Sequence, residues 1–121
     1  MRTVAIKLLN ATINTLRGLS YGVRHERAIR QEMMVFILAL PVGAFIAPGI
    51  GWYAAMIGSL LVLLAVELLN TAIERLADRV TREQDQQIGM VKDYGSAAVF
   101  CMLCLSALVW ASALAVRFNW I

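Results

Sequence analysis

Glu67, Asn70, Glu74 and Asp78 follow one another at spacings of 3, 4 and 4 residues. On a helix turning about 100° per residue they fall within about 80° of one another, as one polar stripe. Carboxylate oxygens suit a hard cation, and a carboxylate short of water is a candidate general base. The neighbours Leu68, Leu69, Ala72, Ile73 and Leu76 cover the other faces. Glu67 follows an unbroken apolar run and has no basic residue within a turn of it. It belongs at or just below the headgroup level of a bilayer, where an ionisable group costs roughly 2.5–3.5 kcal/mol to insert unless it is paired or functional. Glu67 and Asn70 are therefore the strongest candidates for chemistry. Glu74, one to two turns further out, serves equally as a cation ligand or as an interfacial acid. Asp78 fits the plainer role, paired with Arg75 or Arg79 at a helix end.

Two other polar groups border apolar segments. Arg24-His25-Glu26-Arg27-Ala28-Ile29-Arg30-Gln31-Glu32 contains a Glu26–Arg30 pair at i, i+4 spacing, and most such runs are solvated faces. His25 reads as an interfacial histidine rather than a ligand. Lys92-Asp93 precedes the last apolar run. A lysine beside the free N–H groups of a helix start attracts phosphate, and Lys92 serves equally as a positive anchor at the membrane face.

The elements that must position these groups are helices in a membrane. The chain has 121 residues, is 60% hydrophobic and only 16% charged. A soluble domain of that size has too little interior for so much apolar surface. Met33–Val66 is an uncharged run of 34 residues. As one helix it would be about 51 Å long, against a hydrocarbon core of about 30 Å. Pro48-Gly49 divides it, so two antiparallel spans with a turn at residues 47–51 are predicted. Pro41 falls inside the first and either kinks it or is absorbed by packing. Tyr94–Val116 supplies a third span of 23 uncharged residues.

Ten of the 11 Lys and Arg residues fall before the first span or between the second and third. The positive-inside rule places those segments, and the N-terminus, in the cytoplasm. Trp110, Phe118 and Trp120 are then expected near the opposite interface. The first segment mixes Val4, Ile6, Leu8, Leu9, Ile13, Leu16 and Leu19 with Lys7, Asn10, Asn14 and Arg17. It reads as an amphipathic surface helix, either a basic anchor or a lid, with Gly18 and Gly22 loosening its end or allowing close approach. No cleavable leader is expected, because charges recur throughout residues 1–32. Cys101 and Cys104 read as small apolar fillers, with no second pair or His cluster to make a zinc site. Thr81–Gly89 is expected to be a cytoplasmic loop. The net charge of +3 belongs to the membrane face, and no nucleic-acid partner is implied.

All three polar groups share that face. Phosphoryl transfer needs carboxylates for Mg²⁺, a cation on the phosphates and a base on the attacking hydroxyl. No GxxxxGK[ST] loop or soluble-kinase signature is present, so helix side chains would have to hold a nucleotide. The clustering at one interface argues for chemistry on headgroups, over a small transporter subunit using Glu67 as an intramembrane ion site or a structural adaptor.

The stretches Glu26–Glu32, Val66–Glu74, Asp78-Arg79 and Lys92-Asp93-Tyr94-Gly95-Ser96-Ala97-Ala98-Val99 closely resemble the small prokaryotic diacylglycerol kinases, of the Gram-negative type, across essentially the whole chain. The resemblance implies an all-α membrane protein. A surface helix at about 3–22 would precede spans at about 28–47, 50–80 and 91–117, in one domain covering 1–121 and assembled as a homotrimer in the bacterial inner membrane. It implies ATP-dependent phosphorylation of the primary hydroxyl of diacylglycerol, giving phosphatidic acid, with undecaprenol as the alternative acceptor. By resemblance, Glu67 is the base and Asn70 a positioning group, and Glu26 and Glu74 hold Mg²⁺. Lys7, Asn14, Glu26, Glu74, Glu83, Asp85, Lys92 and Asp93 would contact ATP, Asp93 also orienting Lys92. Arg30, Gln31, Glu32, Glu67, Ser96 and Trp110 would line the lipid path. The chain departs from enteric members at Asn14, Leu16 and Gln84, where aromatics are usual, and at Lys7, where arginine is.

Overall fold

The computed structural model describes all 121 residues as four helices and no strands. Helix α1 covers Arg2–His25, α2 Arg27–Ile46, α3 Ile50–Val80 and α4 Gln86–Arg117. The last three are long and apolar enough to cross a bilayer, and the chain is an integral membrane protein. Only 14 residues are buried within the chain, so most of its apolar side chains have to face lipid or other subunits.

Helix α1 runs straight through Gly18 and Gly22. It stops at Glu26, whose φ of −115° and ψ of 116° are extended, and α2 starts at the next residue. Gly22 is what lets the chain fold back: a Cβ there would come within 3.1 Å of Ile29 Cδ1, and Ile29 is fully buried. Because Glu26 sits at this corner, its side chain leaves the register expected of a continuous helix. The anticipated Glu26–Arg30 pair is absent. Arg30 instead donates back to the Val23 carbonyl.

Pro41 is absorbed within α2, which continues to Ile46. In the turn beside it, the Tyr53 hydroxyl of α3 donates to the Leu40 carbonyl at 3.1 Å. Residues 47–49 make the turn into α3. Half of the chain's buried residues, from Met56 to Ala77, belong to α3, which is the hub: α2 and α4 pack chiefly against it.

The polar link is shorter than the sequence suggests, covering residues 81–85 only. Asp85 explains this by accepting from the Gln87 and Ile88 N–H groups at 3.0 Å. That cap starts α4 about two turns before its apolar portion. Within the bundle, Ser106 donates to the Ser59 carbonyl and Trp110 Nε1 to the Met56 carbonyl, at 3.3 and 3.2 Å. Trp110 thus packs inward against α3, whereas Phe118 and Trp120 stack on each other at the far end. Cys101 and Cys104 are free and exposed along α4.

Candidate active site at the end of the apolar spans

Glu67 lies 17 residues into α3, about 26 Å along its axis at 1.5 Å per residue. That length nearly exhausts a hydrocarbon core, and the remaining residues to Val80 continue beyond it. Both Glu67 and Asn70 are buried, at 8% and 7% exposure. Glu74, one turn on, is exposed and accepts from Asn70 Nδ2 at 3.3 Å. Carboxylates from two helices meet here. Glu26 at the α1–α2 corner, Glu32 of α2 and Glu74 are the acidic neighbours of Glu67.

Helix α4 closes the side of Asn70. Gly95 is buried, and Asn70 Oδ1 lies directly against its Cα, where a Cβ would overlap it. That oxygen has no conventional hydrogen-bond donor, and the close approach is of the weak Cα–H···O kind. The Oε2 atom of Glu32 is likewise buried and without a partner.

Two grooves flank this cluster. The first, of about 540 Å³, is almost wholly apolar. Val35, Leu38 and Leu63 line it, Trp110 stands deep along it, and Gln31 and Glu32 stand at its polar end. The second, of about 450 Å³, lies between α1 and α3 and includes Asn14, Tyr21, Glu26, Thr71 and Arg75. Along α3 the first groove's lining stops at Leu63 and the second's starts at Leu68. Glu67 stands between them.

The other sequence candidates lie nearby or apart. Lys92 of α4 reaches α3, where its Nζ lies 2.6 Å from Asp78 Oδ1. Asp78 therefore pairs across the helix interface rather than with Arg75 or Arg79 on its own helix. Asp93 and Ser96 are exposed on α4, Lys7 on α1, and Glu83 in the link. The structure does not gather these four into the cluster, and Asp85 is engaged in capping α4.

Three residues to which the sequence assigned no part in the chemistry contribute. Arg75 donates to Glu26, Asp78 holds Lys92, and Gly95 seats Asn70. The signal for Asp78 was its place on the acidic stripe, and for Gly95 its place in a run of small residues. Arg75 carried none, since its acceptor is 49 positions away.

Glu26 and Glu74 offer hard oxygen donors suited to Mg²⁺. No three acidic, His or Cys side chains of the chain form a metal cluster. The fit is thus to a cation that brings most of its ligands with it, as Mg²⁺ does when it arrives on substrate phosphates and water.

The profile of the family described as "Prokaryotic diacylglycerol kinase" matches residues 13–114. A diacylglycerol kinase of Haemophilus influenzae is 36% identical over 107 residues, covering 88% of this chain and 91% of that protein. One from Pseudomonas aeruginosa is 39% identical over 108 residues, covering 89% and 88%. One from Escherichia coli K12 is 30% identical over 104 residues, covering 86% and 85%. With that agreement over most of its length, and three spans converging on one acidic cluster, the chain belongs to the prokaryotic diacylglycerol kinase family of integral membrane enzymes.

Proposed function

We propose that the chain phosphorylates the primary hydroxyl of diacylglycerol with MgATP, producing phosphatidic acid and ADP at the cytoplasmic face of the bacterial inner membrane. The observation that carries this reading is the position of Glu67 along α3 between a groove lined by Val35, Leu38 and Leu63 and one whose lining includes Asn14, Glu26, Thr71 and Arg75. The lipid enters the first groove sideways from the bilayer, its acyl chains along Val35, Leu38 and Leu63 as far as Trp110, with Arg30 and Ser96 toward its headgroup. Gln31 and Glu32 receive the polar glycerol end, and the unpartnered Glu32 Oε2 accepts from a lipid hydroxyl. The nucleotide occupies the second groove and extends toward Lys92.

Glu67 takes the proton of the attacking hydroxyl. The lipid oxygen bonds to the γ-phosphorus as the bond to the β–γ bridging oxygen breaks, and ADP leaves. Asn70, fixed by Gly95 and bonded to Glu74, positions the reacting groups. Glu26 and Glu74 would hold Mg²⁺, which would supply charge neutralisation at the phosphates. Lys92 offers its ammonium to the phosphates, with Asp78 holding it there and Asp93 beside it. Lys7 and Asn14 of α1, with Glu83 and Asp85 of the link, border the nucleoside end. The protein's share is positioning and electrostatics in a site shielded from water.

The chain acts as a homotrimer with its N-terminus in the cytoplasm. The charge asymmetry and the large exposed apolar area of α4 support this. Site residues that one chain leaves apart, such as Asp93 and Ser96, would then approach a neighbouring subunit's cluster.

The deciding experiment offers diacylglycerol and undecaprenol separately, in mixed micelles with MgATP, and follows phosphate transfer. Transfer to diacylglycerol at the higher kcat/KM is expected. Preference for undecaprenol would reassign the acceptor, and transfer to neither would reject the assignment.

A further inference from the structure

We propose that Arg75 is a phosphate-binding residue of the nucleotide groove, its guanidinium held in place by Glu26. This rests on the kinase reading above. Arg75 directly follows Glu74 and lies about 80–100° around α3 from Glu67 and Glu74, on the side that lines the second groove. It is the only cationic residue lining that groove. Lys92, bonded to Asp78, lies outside that lining.

The pairing is one-sided. Arg75 Nε donates to Glu26 Oε1 at 2.9 Å, and Nη2 donates to the same oxygen. Nη1 has no acceptor in the protein, and neither has Glu26 Oε2. The Arg75 side chain remains 62% exposed although the Glu26 side chain is only 23% exposed. A guanidinium has five donors in a planar fork, so binding one carboxylate oxygen leaves donors for a phosphate. Glu26 keeps its second oxygen for the cation that accompanies that phosphate. One carboxylate thereby locks the arginine and meets the metal from opposite sides.

A simple strut is the rival explanation, with Arg75 tying the α1–α2 corner to α3. Exposed ion pairs are weak ties, and the corner is already fixed by Gly22 against buried Ile29. A strut gives no reason for the free donors to line a groove.

The test is the affinity of the purified full-length protein, in lipid nanodiscs, for ATP in excess EDTA. No cation is present there to involve the carboxylates, and no turnover intervenes. Arg75→Gln should weaken metal-free ATP binding about tenfold, the usual worth of a charged hydrogen bond, and Arg75→Lys should recover part of it. Glu26→Gln should leave metal-free binding at least as tight while weakening binding of MgATP. Arg79→Gln, one turn on, should change neither. Wild-type affinity in Arg75→Gln would overturn the proposal and leave the kinase reading standing. Equal losses in Glu26→Gln and Arg75→Gln without metal would reduce the pair to a strut and also overturn it. Failure of the wild-type protein to bind ATP at all would remove both.

Discussion

Replacing Gly95 by alanine adds a single methyl group at the point where α4 meets the base of the acidic cluster. The new Cβ would occupy the space of Asn70 Oδ1. Asn70 is 7% exposed and has little room to retreat. If α4 moves away instead, the strain falls on helix packing and costs about 1–3 kcal/mol, as overpacked interiors do. If Asn70 rotates, its bond to Glu74 is broken, a loss of about 1 kcal/mol in stability. The larger consequence is then catalytic, because a displacement of about 1 Å in a positioning group costs about 100-fold in rate. A 100-fold fall corresponds to about 2.7 kcal/mol of barrier. The long Asn70–Glu74 bond, 3.3 Å, is the weaker restraint and favours rotation, since helix separation would disturb the whole α3–α4 contact. The assay is kcat with diacylglycerol and MgATP in mixed micelles, beside the melting temperature of the same preparation. Gly95→Ala should lose about 100-fold in kcat with a modest drop in melting temperature and nearly unchanged nucleotide affinity. Gly89→Ala, on the same helix where a Cβ meets nothing within 4 Å, should keep wild-type rates. A Gly95→Ala protein with kcat within about twofold of wild type would refute the positioning argument, for a methyl group cannot share that space with an Asn70 left in place.

Glu67→Gln should abolish turnover while the protein still assembles and binds nucleotide; measurable wild-type-like phosphorylation would remove Glu67 from the role of base. Glu74→Gln should raise the Mg²⁺ concentration needed for half-maximal rate, and an unchanged Mg²⁺ titration would count against a cation ligand at that position. Asp78→Asn should free Lys92 and lower activity by about as much as Lys92→Met does, with the double variant no worse than either. Additive losses in that cycle would show the two residues acting separately.

The spans, the Pro48-Gly49 turn and the polar stripe on α3 were legible because each rests on local rules: hydropathy, turn chemistry and helical spacing. The burial of Glu67 was legible too, since it directly continues an apolar run. What the sequence concealed were pairings between helices. Glu26 and Arg30 have ideal spacing for an ion pair, yet the corner that Gly22 permits turns Glu26 toward Arg75 instead. Asp78 has two arginines within a turn and takes Lys92 of α4. Trp110 was placed near the far interface by its position in the chain, and its N–H takes the Met56 carbonyl of α3. In each case the local rule gave a plausible neighbour and tertiary packing supplied another.

The arrangement also accounts for how so small a chain can hold two dissimilar substrates. A soluble kinase binds its nucleotide on loops, which this chain lacks: its helices are joined by corners of one, three and five residues. Precision must therefore come from side chains on rigid helices. One long helix is the economical answer, since residues a few turns apart on it face different solvents. Leu60 and Leu63 line one groove, Thr71 and Arg75 the other, and Glu67 falls within about one turn of both. Moving Glu67 by one turn along α3 would place it wholly in one groove or the other. A base in the hydrocarbon would meet no phosphate, and a base in the nucleotide groove would meet no lipid hydroxyl. Transplanting the carboxylate to Leu63 or Thr71, in a Glu67→Gln background, should therefore restore no turnover even where the protein folds and binds ATP. Activity recovered at either position would mean that distance along α3 does not set which hydroxyl reaches the phosphate.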